Sequence, residues 1–482
     1  MILNRTRFLF LVILIEGYVV LASELLAIRL LIPFVGSGTE IISIIISAVL
    51  LPLAVGYHMG GRAFTKHFVK TSKSGKASRS VRRILQRNIL LALAILTLSL
   101  SYMFLEVFFT QLDALGIHNR LAQTSIYCLF FLVTPVFILG QTVPLISHYF
   151  SQHKLSEITG RMLFFSTTGS FFGSVFSTIV LMTYAGVHIT VIVTLMLLAS
   201  LSFLLSRKIF SLPTLLCTLI IAVVITLNSG SAMQRMNIVA DNAYNTVQII
   251  TMPEKSSKRM LLNRSVSSGI SPDPKDRFPY IAYIEDHYIA TLATAGGASR
   301  DILVLGAGGF TLGLHDVINK YVYVDIDAAL KEVAEAHFLP GKLSTNKQFV
   351  AASARAFIHS DTKRYDLIVI DTYTNTSSIP METTTREFLL DAKRLLKDKS
   401  ILVANIISNP TFSDTFTVRY DNTFKSVFPT SSRQIIGFIN PWESMAANKN
   451  YDTNVIYSFY NTHHTKDQTI YTDDKNSYSL DR

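Results

Sequence analysis

Up to about residue 228 the chain is a series of long apolar runs with short polar breaks, and this limits what its first half can become. A helix needs about 20 apolar residues to cross a bilayer. About seven such runs occur, near 8–31, 41–60, 88–110, 123–147, 162–185, 188–206 and 210–228. They predict a multi-pass α-helical membrane domain over 1–230. Arg5 and Arg7 precede the first run, which continues too far for a signal peptide and lacks a small-residue cleavage site, so it reads as a retained span. Pro135, Gly140 and Pro144 predict a bend in the fourth run, and the small residues of "TTGSFFGSVFST" predict close helix packing in the fifth.

The net charge of +11 raises the question of nucleic acid. Its distribution answers against that partner. Arg62, Lys66, Lys70, Lys73, Lys76, Arg79, Arg82, Arg83 and Arg87 crowd one short loop between two apolar runs. The positive-inside rule places this 62–87 loop in the cytoplasm, beside the lipid bilayer of a cell (inner) membrane. The N-terminus then lies inside, and an odd number of spans, with which Arg207 and Lys208 agree, puts the C-terminal half outside. A cytosolic nucleoside would ask for six or eight spans, and the sequence leaves both arrangements open. Within the first span Glu16, Glu24 and Arg29 are either a functional site or mutually satisfied structural groups. Cys128 and Cys217 lie in apolar runs, and His287, His315, His463 and His464 have no metal-ligand spacing, so no metal site is expected.

From about residue 232 the pattern changes. "YNTVQIITM" and "RMLLNRSVSSG" alternate as paired strands, predicting a small β-rich, substrate-side element over 231–290. Over 291–482 the runs "DILVLGAGG", "YVYVDID", "QFVAAS", "YDLIVIDTYT" and "SILVANII" alternate with helical stretches "AALKEVAEAHF" and "TTREFLLDAKRLLKD". That alternation predicts a Rossmann-like, doubly wound parallel sheet with its ligand at the strands' carboxyl ends. Gly306, Gly308 and Gly309 follow the first strand of the series, and Asp325 ends the next, where an acid bonds ribose hydroxyls. There is no Gly-Lys-Ser/Thr phosphate grip. A dinucleotide and a sulfonium nucleoside both fit at this point, and Asp371, ending "YDLIVID", favours the second.

The motifs resemble a known family. "ASELLAIRLLIPFVGSGTE" and "LAVGYHMGGR" are similar to the opening of membrane-integrated spermidine synthase-like proteins, with Glu24, Arg29, Pro33, Gly36, Gly56, Tyr57, Gly60, Gly61 and Arg62 in register. The block from about 241 to 407 resembles the catalytic domain of polyamine aminopropyltransferases. The resemblance implies an S-adenosylmethionine-dependent transferase fold without a prosthetic group, and decarboxylated S-adenosylmethionine as co-substrate. It implies an amine acceptor such as putrescine and, from the dimeric relatives, a homodimer. It assigns catalysis to Asp371 and nucleoside binding to Gly306, Gly308, Gly309, Asp325, Ser353 and Ala354. Tyr244, Asn245, Tyr373, Thr374 and Glu382 fall on the amine side. "IYTDDKNSYSLDR" resembles the family's closing Asp-Asp stretch, and Arg355 keeps the membrane branch's pattern. The chain departs from the soluble members at Thr374 and Ser353, each replacing an aspartate, which puts classical spermidine synthesis in doubt.

The chemistry needs a carboxylate that attracts a cationic amine and takes its proton. A second reading makes the C-terminal half a non-catalytic nucleoside- or polyamine-binding domain that regulates a transporter-like helix bundle. A methyltransferase is the weaker third, since no Asn/Asp-Pro-Pro-Tyr motif occurs.

Overall fold

The computed structural model describes residues 6–71, 76–147, 150, 155–206, 210–253, 256–294, 298–374, 378–437, 452–458 and 470–474. Lys73, Arg207, Lys208, His463 and His464 lie outside them. The chain forms two compact units. One comprises Met1–Val35, Thr39–Met236 and Asp241–Ala243, and the other Gly36–Gly38, Asn237–Ala240 and Tyr244–Arg482.

The first unit is helical. Five helices are long and apolar enough to cross a membrane: Arg7–Val35, Thr39–Gly61, Arg120–Ser147, Ser156–Ala185 and Val187–Leu205. Two of the seven expected spans differ. The third is broken, because Val81–Ser99 and Tyr102–Ala114 meet at a 69° bend. Ser101 is extended there, and the Tyr127 hydroxyl donates to the Ser99 carbonyl (2.9 Å), so side chains meet polar groups at the break. The seventh, Leu212–Leu227, has 16 residues, which at ~1.5 Å rise is roughly 24 Å, short of the ~30 Å hydrocarbon core.

The small residues of the fifth run pack as their size suggests. A Cβ on Gly169 or Gly173 would collide with the carbonyls of Leu14 and Tyr18, and one on Gly17 with that of Ser166. Helices Thr6–Val35 and Leu155–Val175 therefore touch backbone to backbone. In the first helix Arg29 is buried and its Nε donates to the Asn242 carbonyl (2.6 Å).

The second unit holds two sheets. Strands β1 (Ile238–Asp241), β2 (Thr246–Met252), β3 (Ser257–Leu262) and β4 (Ser265–Ile270) form a small sheet in that order. "RMLLNRSVSSG" is its β3–β4 hairpin, turning on Asn263 and Arg264, both with positive φ (49° and 68°). The second sheet contains β5 (Asp301–Leu305), β6 (Lys320–Asp325), β7 (Lys347–Ala351), β8 (Tyr365–Ile370), β9 (Leu396–Ser408), β10 (Ser432–Ile436) and β11 (Thr453–Ser458). Their order is β10-β11-β9-β8-β5-β6-β7.

Strands β5 to β9 are parallel, as expected, but β11 runs antiparallel to both β9 and β10, so the sheet is mixed rather than wholly parallel. The helix predicted over 384–398 also ends early, at Arg394, and Leu396 already belongs to β9. The central strands are apolar throughout because the sheet has a hydrophobic core on each face: Leu303, Leu305, Ile368 and Ile370 in one, Ile302, Val304, Leu367 and Val369 in the other.

Candidate active site

Strand order positions the site. From β5 the chain builds outward to β6 and β7, then crosses back and adds β8 on the other side of β5. The crevice at such a reversal, beyond the strands' carboxyl ends, is where open α/β sheets bind ligands. Leu305 pairs with Ile370 across β5 and β8, so Gly306 and Asp371 emerge side by side at that point.

Only glycine fits at 306. Its φ is +92°, and a Cβ would run into the Asp371 carbonyl. The loop is then tied down on two sides. Asp325 Oδ2 accepts the Ala307 N–H (3.0 Å), and Ser268 Oγ from β4 accepts the Gly309 N–H (2.8 Å). Gly308 has φ +49°, and a Cβ there would come within 2.8 Å of Ser267 Oγ. Asp325 is partly exposed at the end of β6, and burial raises its pKa to about 6 despite the backbone N–H groups bonded to it.

Asp371 is held by two neutral groups. The Tyr280 hydroxyl donates to Oδ2 (3.1 Å) and Asn405 Nδ2 to Oδ1 (2.9 Å). Ala404 pairs with Ile370, so β9 brings Asn405 level with Asp371. Burial raises the Asp371 pKa to about 6, while both hydrogen bonds pull it back down. Burial, with the Asp371 charge beside it, holds the Tyr280 phenol well above its usual range, so Tyr280 stays a donor.

The remaining sequence-assigned residues take varied places. Ser353 caps the helix Ala354–Ser360 through the Ala356 N–H (3.1 Å), just beyond β7, and Ala354 is that helix's first residue. Asn245 is buried, with its Nδ2 on Asp327 Oδ2 (3.0 Å), while Tyr244 beside it is 46% exposed. Tyr373 does not present its hydroxyl as a substrate ligand. That group donates to the Asn405 carbonyl (3.0 Å) and accepts the Ile407 N–H (2.6 Å), locking the segment onto β9. The Thr374 hydroxyl donates to the Ser378 carbonyl (3.0 Å). Glu382 is exposed on the turn Met381–Thr383. Arg355 pairs with Asp473 of the closing Asp-Asp stretch (2.5 Å).

Sequence reasoning missed Tyr280, Asn405, Ser268 and Asn263. Asn405 left a signal, as the one polar residue in the run "ILVANII". Asn263, 2% exposed, joins β2 to the segment after Asp371: its Nδ2 donates to Asn245 Oδ1 (3.0 Å) and the Thr374 carbonyl (2.9 Å), and its Oδ1 accepts the Thr246 N–H (3.0 Å).

A glycine loop, an acid at the end of β6 and a carboxylate at the strand-order reversal thus stand together at the carboxyl end of a Rossmann-like sheet. No family model matches the chain. Over 161 residues it is 29% identical to a polyamine aminopropyltransferase of Vibrio vulnificus (strain CMCP6), covering 32% of this chain and 52% of that protein. The chain thus spans about half the length of the curated relative it matches. A probable spermidine synthase from Corynebacterium glutamicum ATCC 13032 aligns at 21% identity and TM-score 0.38, over 46% of this chain and 79% of that one. The spermidine synthase of Thermotoga maritima aligns at 15% and 0.33, over 49% and 80%. Over part of its length the chain is thus similar to polyamine aminopropyltransferases.

Proposed function

We propose that this chain is a membrane-bound aminopropyltransferase that uses decarboxylated S-adenosylmethionine and an amine acceptor. The observation that carries the reading is Asp371, a partly exposed carboxylate at the strand-order reversal, beside the glycine loop and fixed by two neutral donors. Gly306, Gly308 and Gly309 let the backbone approach the nucleoside, and Asp325 receives its ribose hydroxyls. The amine nitrogen attacks the aminopropyl carbon attached to sulfur. The carbon–sulfur bonding pair leaves with sulfur, forming neutral methylthioadenosine, and the proton shed by nitrogen passes to Asp371. Positioning supplies much of the remaining acceleration, because positive charge on sulfur disappears as the bond forms.

The co-substrate's missing carboxyl group matters. S-adenosylmethionine itself would bring a carboxylate towards Asp371, and the two negative charges would repel in a site of reduced dielectric. The apolar helices of the first unit support residence in a cell membrane, with the 62–87 loop on the cytoplasmic side.

Calorimetry on the full chain in detergent tests the reading. Decarboxylated S-adenosylmethionine is expected to bind at least about tenfold more tightly than S-adenosylmethionine. Asp371→Asn is expected to keep that affinity within a few-fold and to lower methylthioadenosine release by roughly 10²–10⁴-fold. Failure of the full chain to bind either nucleoside would overturn the proposal.

A further inference from the structure

We infer that Asn263 is a positioning residue for the acceptor amine, and that it couples the amine side of the site to Asp325. The inference rests on the aminopropyl-transfer reading, which gives Asp325 to the ribose. Asn263 stands at the β3–β4 turn with φ +49°, a backbone that asparagine and glycine adopt more readily than most residues. That need is local, and glycine would meet it. The side chain reaches further.

Two backbone groups fix how its amide lies. The Thr246 N–H can only donate, so it meets Oδ1 (3.0 Å), and the Thr374 carbonyl can only accept, so it meets Nδ2 (2.9 Å). Nδ2 also donates to Asn245 Oδ1 (3.0 Å), with the Tyr244 carbonyl more distant at 3.4 Å. Asn245 then presents its own Nδ2 onward, to Asp327 Oδ2 (3.0 Å). Asp327 gives its backbone N–H to Asp325 Oδ1 (3.2 Å). Asn263, Asn245 and Asp327 are 2%, 8% and 1% exposed, so water has little access to these bonds.

One line of hydrogen bonds thus joins Asp325, at the end of β6, to Thr374, three residues beyond Asp371. Neither asparagine can turn over without setting oxygen against oxygen and N–H against N–H. A nucleoside whose ribose hydroxyls bond Asp325 fixes that carboxylate, and with it Asp327, Asn245 and Asn263. The Thr374 carbonyl is then set before the amine arrives. Linkage is reciprocal, so a bound amine tightens nucleoside binding by the same factor. A satisfied buried network is worth more than its separate bonds, and removing one member exposes the coupling.

Two variants separate the turn from the amide. Asn263→Gly keeps the left-handed turn and removes the side chain, whereas Asn263→Asp keeps the acceptor for Thr246 and removes the donor. In the unaltered full-length chain, decarboxylated S-adenosylmethionine is expected to slow hydrogen exchange at the Thr374 amide by at least about fivefold. That amide donates to the Ser378 carbonyl (2.8 Å). Both variants are expected to bind the nucleoside within a few-fold of normal by calorimetry, yet to lose the slowing at Thr374. With putrescine as acceptor, the KM for the amine is expected to rise at least about tenfold, and that for the nucleoside to change only a few-fold. An unchanged amine KM in Asn263→Gly would leave Asn263 only its turn, and would overturn the inference while aminopropyl transfer stands. Exchange at Thr374 that ignores the nucleoside in the unaltered chain overturns the coupling whether or not the variants fold. No nucleoside binding, or no methylthioadenosine release, by the unaltered chain overturns transfer itself, and the inference with it.

Discussion

Asp371 has two opposing influences on its ionisation, and they can be separated. Burial favours the protonated acid, while the Tyr280 hydroxyl and the Asn405 amide favour the carboxylate, leaving the pKa at about 6. A general base works only when ionised, so kcat/KM is expected to rise with pH through about 6 and level off above it. Tyr280→Phe removes one stabilising donor and leaves the burial. A hydrogen bond to a charged group is worth roughly 1.5–3 kcal/mol, so the midpoint should move upward by about one to two pH units. A pH–rate profile of the variant checks this, and a midpoint that stays put or falls would remove Tyr280 from the mechanism. At this scale the sequence was partly legible. Gly306, Asp325 and Asp371 announced themselves through strand ends and glycine spacing. Tyr280 did not, because it reaches Asp371 from a helix 91 positions earlier and no local pattern marks that contact.

Elements explain why the site has so little tolerance in its loop. The turn after β5 is pressed against the chain leaving β8, and both strands run through the two hydrophobic cores. Gly306→Ala must therefore either abandon φ +92° or push Asp371 out of line. A destabilisation of about 3 kcal/mol or more is expected, with loss of nucleoside binding. Chemical unfolding followed by circular dichroism, with hydrogen exchange read on β5 and β8, measures it. Near-normal stability would mean that the turn relaxes freely. The same elements show where pattern reading stopped. Parallel strands β5, β6 and β8 are buried on both faces and stand out as unbroken apolar runs. Strand β10, "SRQII", is only partly buried at the sheet edge, so it carries no comparable signal. The break near Ser101 was hidden for a different reason. Hydropathy continues across it, and the side chain that meets the broken turn comes from Tyr127, in a later helix.

At the scale of the whole molecule, the membrane-bound proposal makes the number of crossings decide which side of the bilayer receives the C-terminal half. Among the described residues, five long helices plus the bent pair would give six crossings, and Leu212–Leu227 would make a seventh. If the basic 62–87 segment, which the ends of helices Thr39–Thr71 and Lys76–Ser99 largely form, is cytoplasmic, six crossings return the chain to the cytoplasmic side and seven deliver it to the opposite one. The chemistry favours six. A sulfonium nucleoside is charged and does not cross hydrocarbon unaided, so the proposed aminopropyl transfer would have to take place on the side that holds the nucleoside. The 16-residue length of Leu212–Leu227 points the same way. Both native cysteines are buried, so reactive positions can be added over a quiet background. Ser74→Cys lies in the basic loop, and Asp276→Cys lies on an exposed stretch of the second unit. In sealed vesicles of known orientation, a membrane-impermeant maleimide is expected to label both from the cytoplasmic face and neither from the other. Labelling of the two positions from opposite faces would show that Leu212–Leu227 crosses. The aminopropyl donor would then have to be delivered through the membrane, and the helical half would have to include its route.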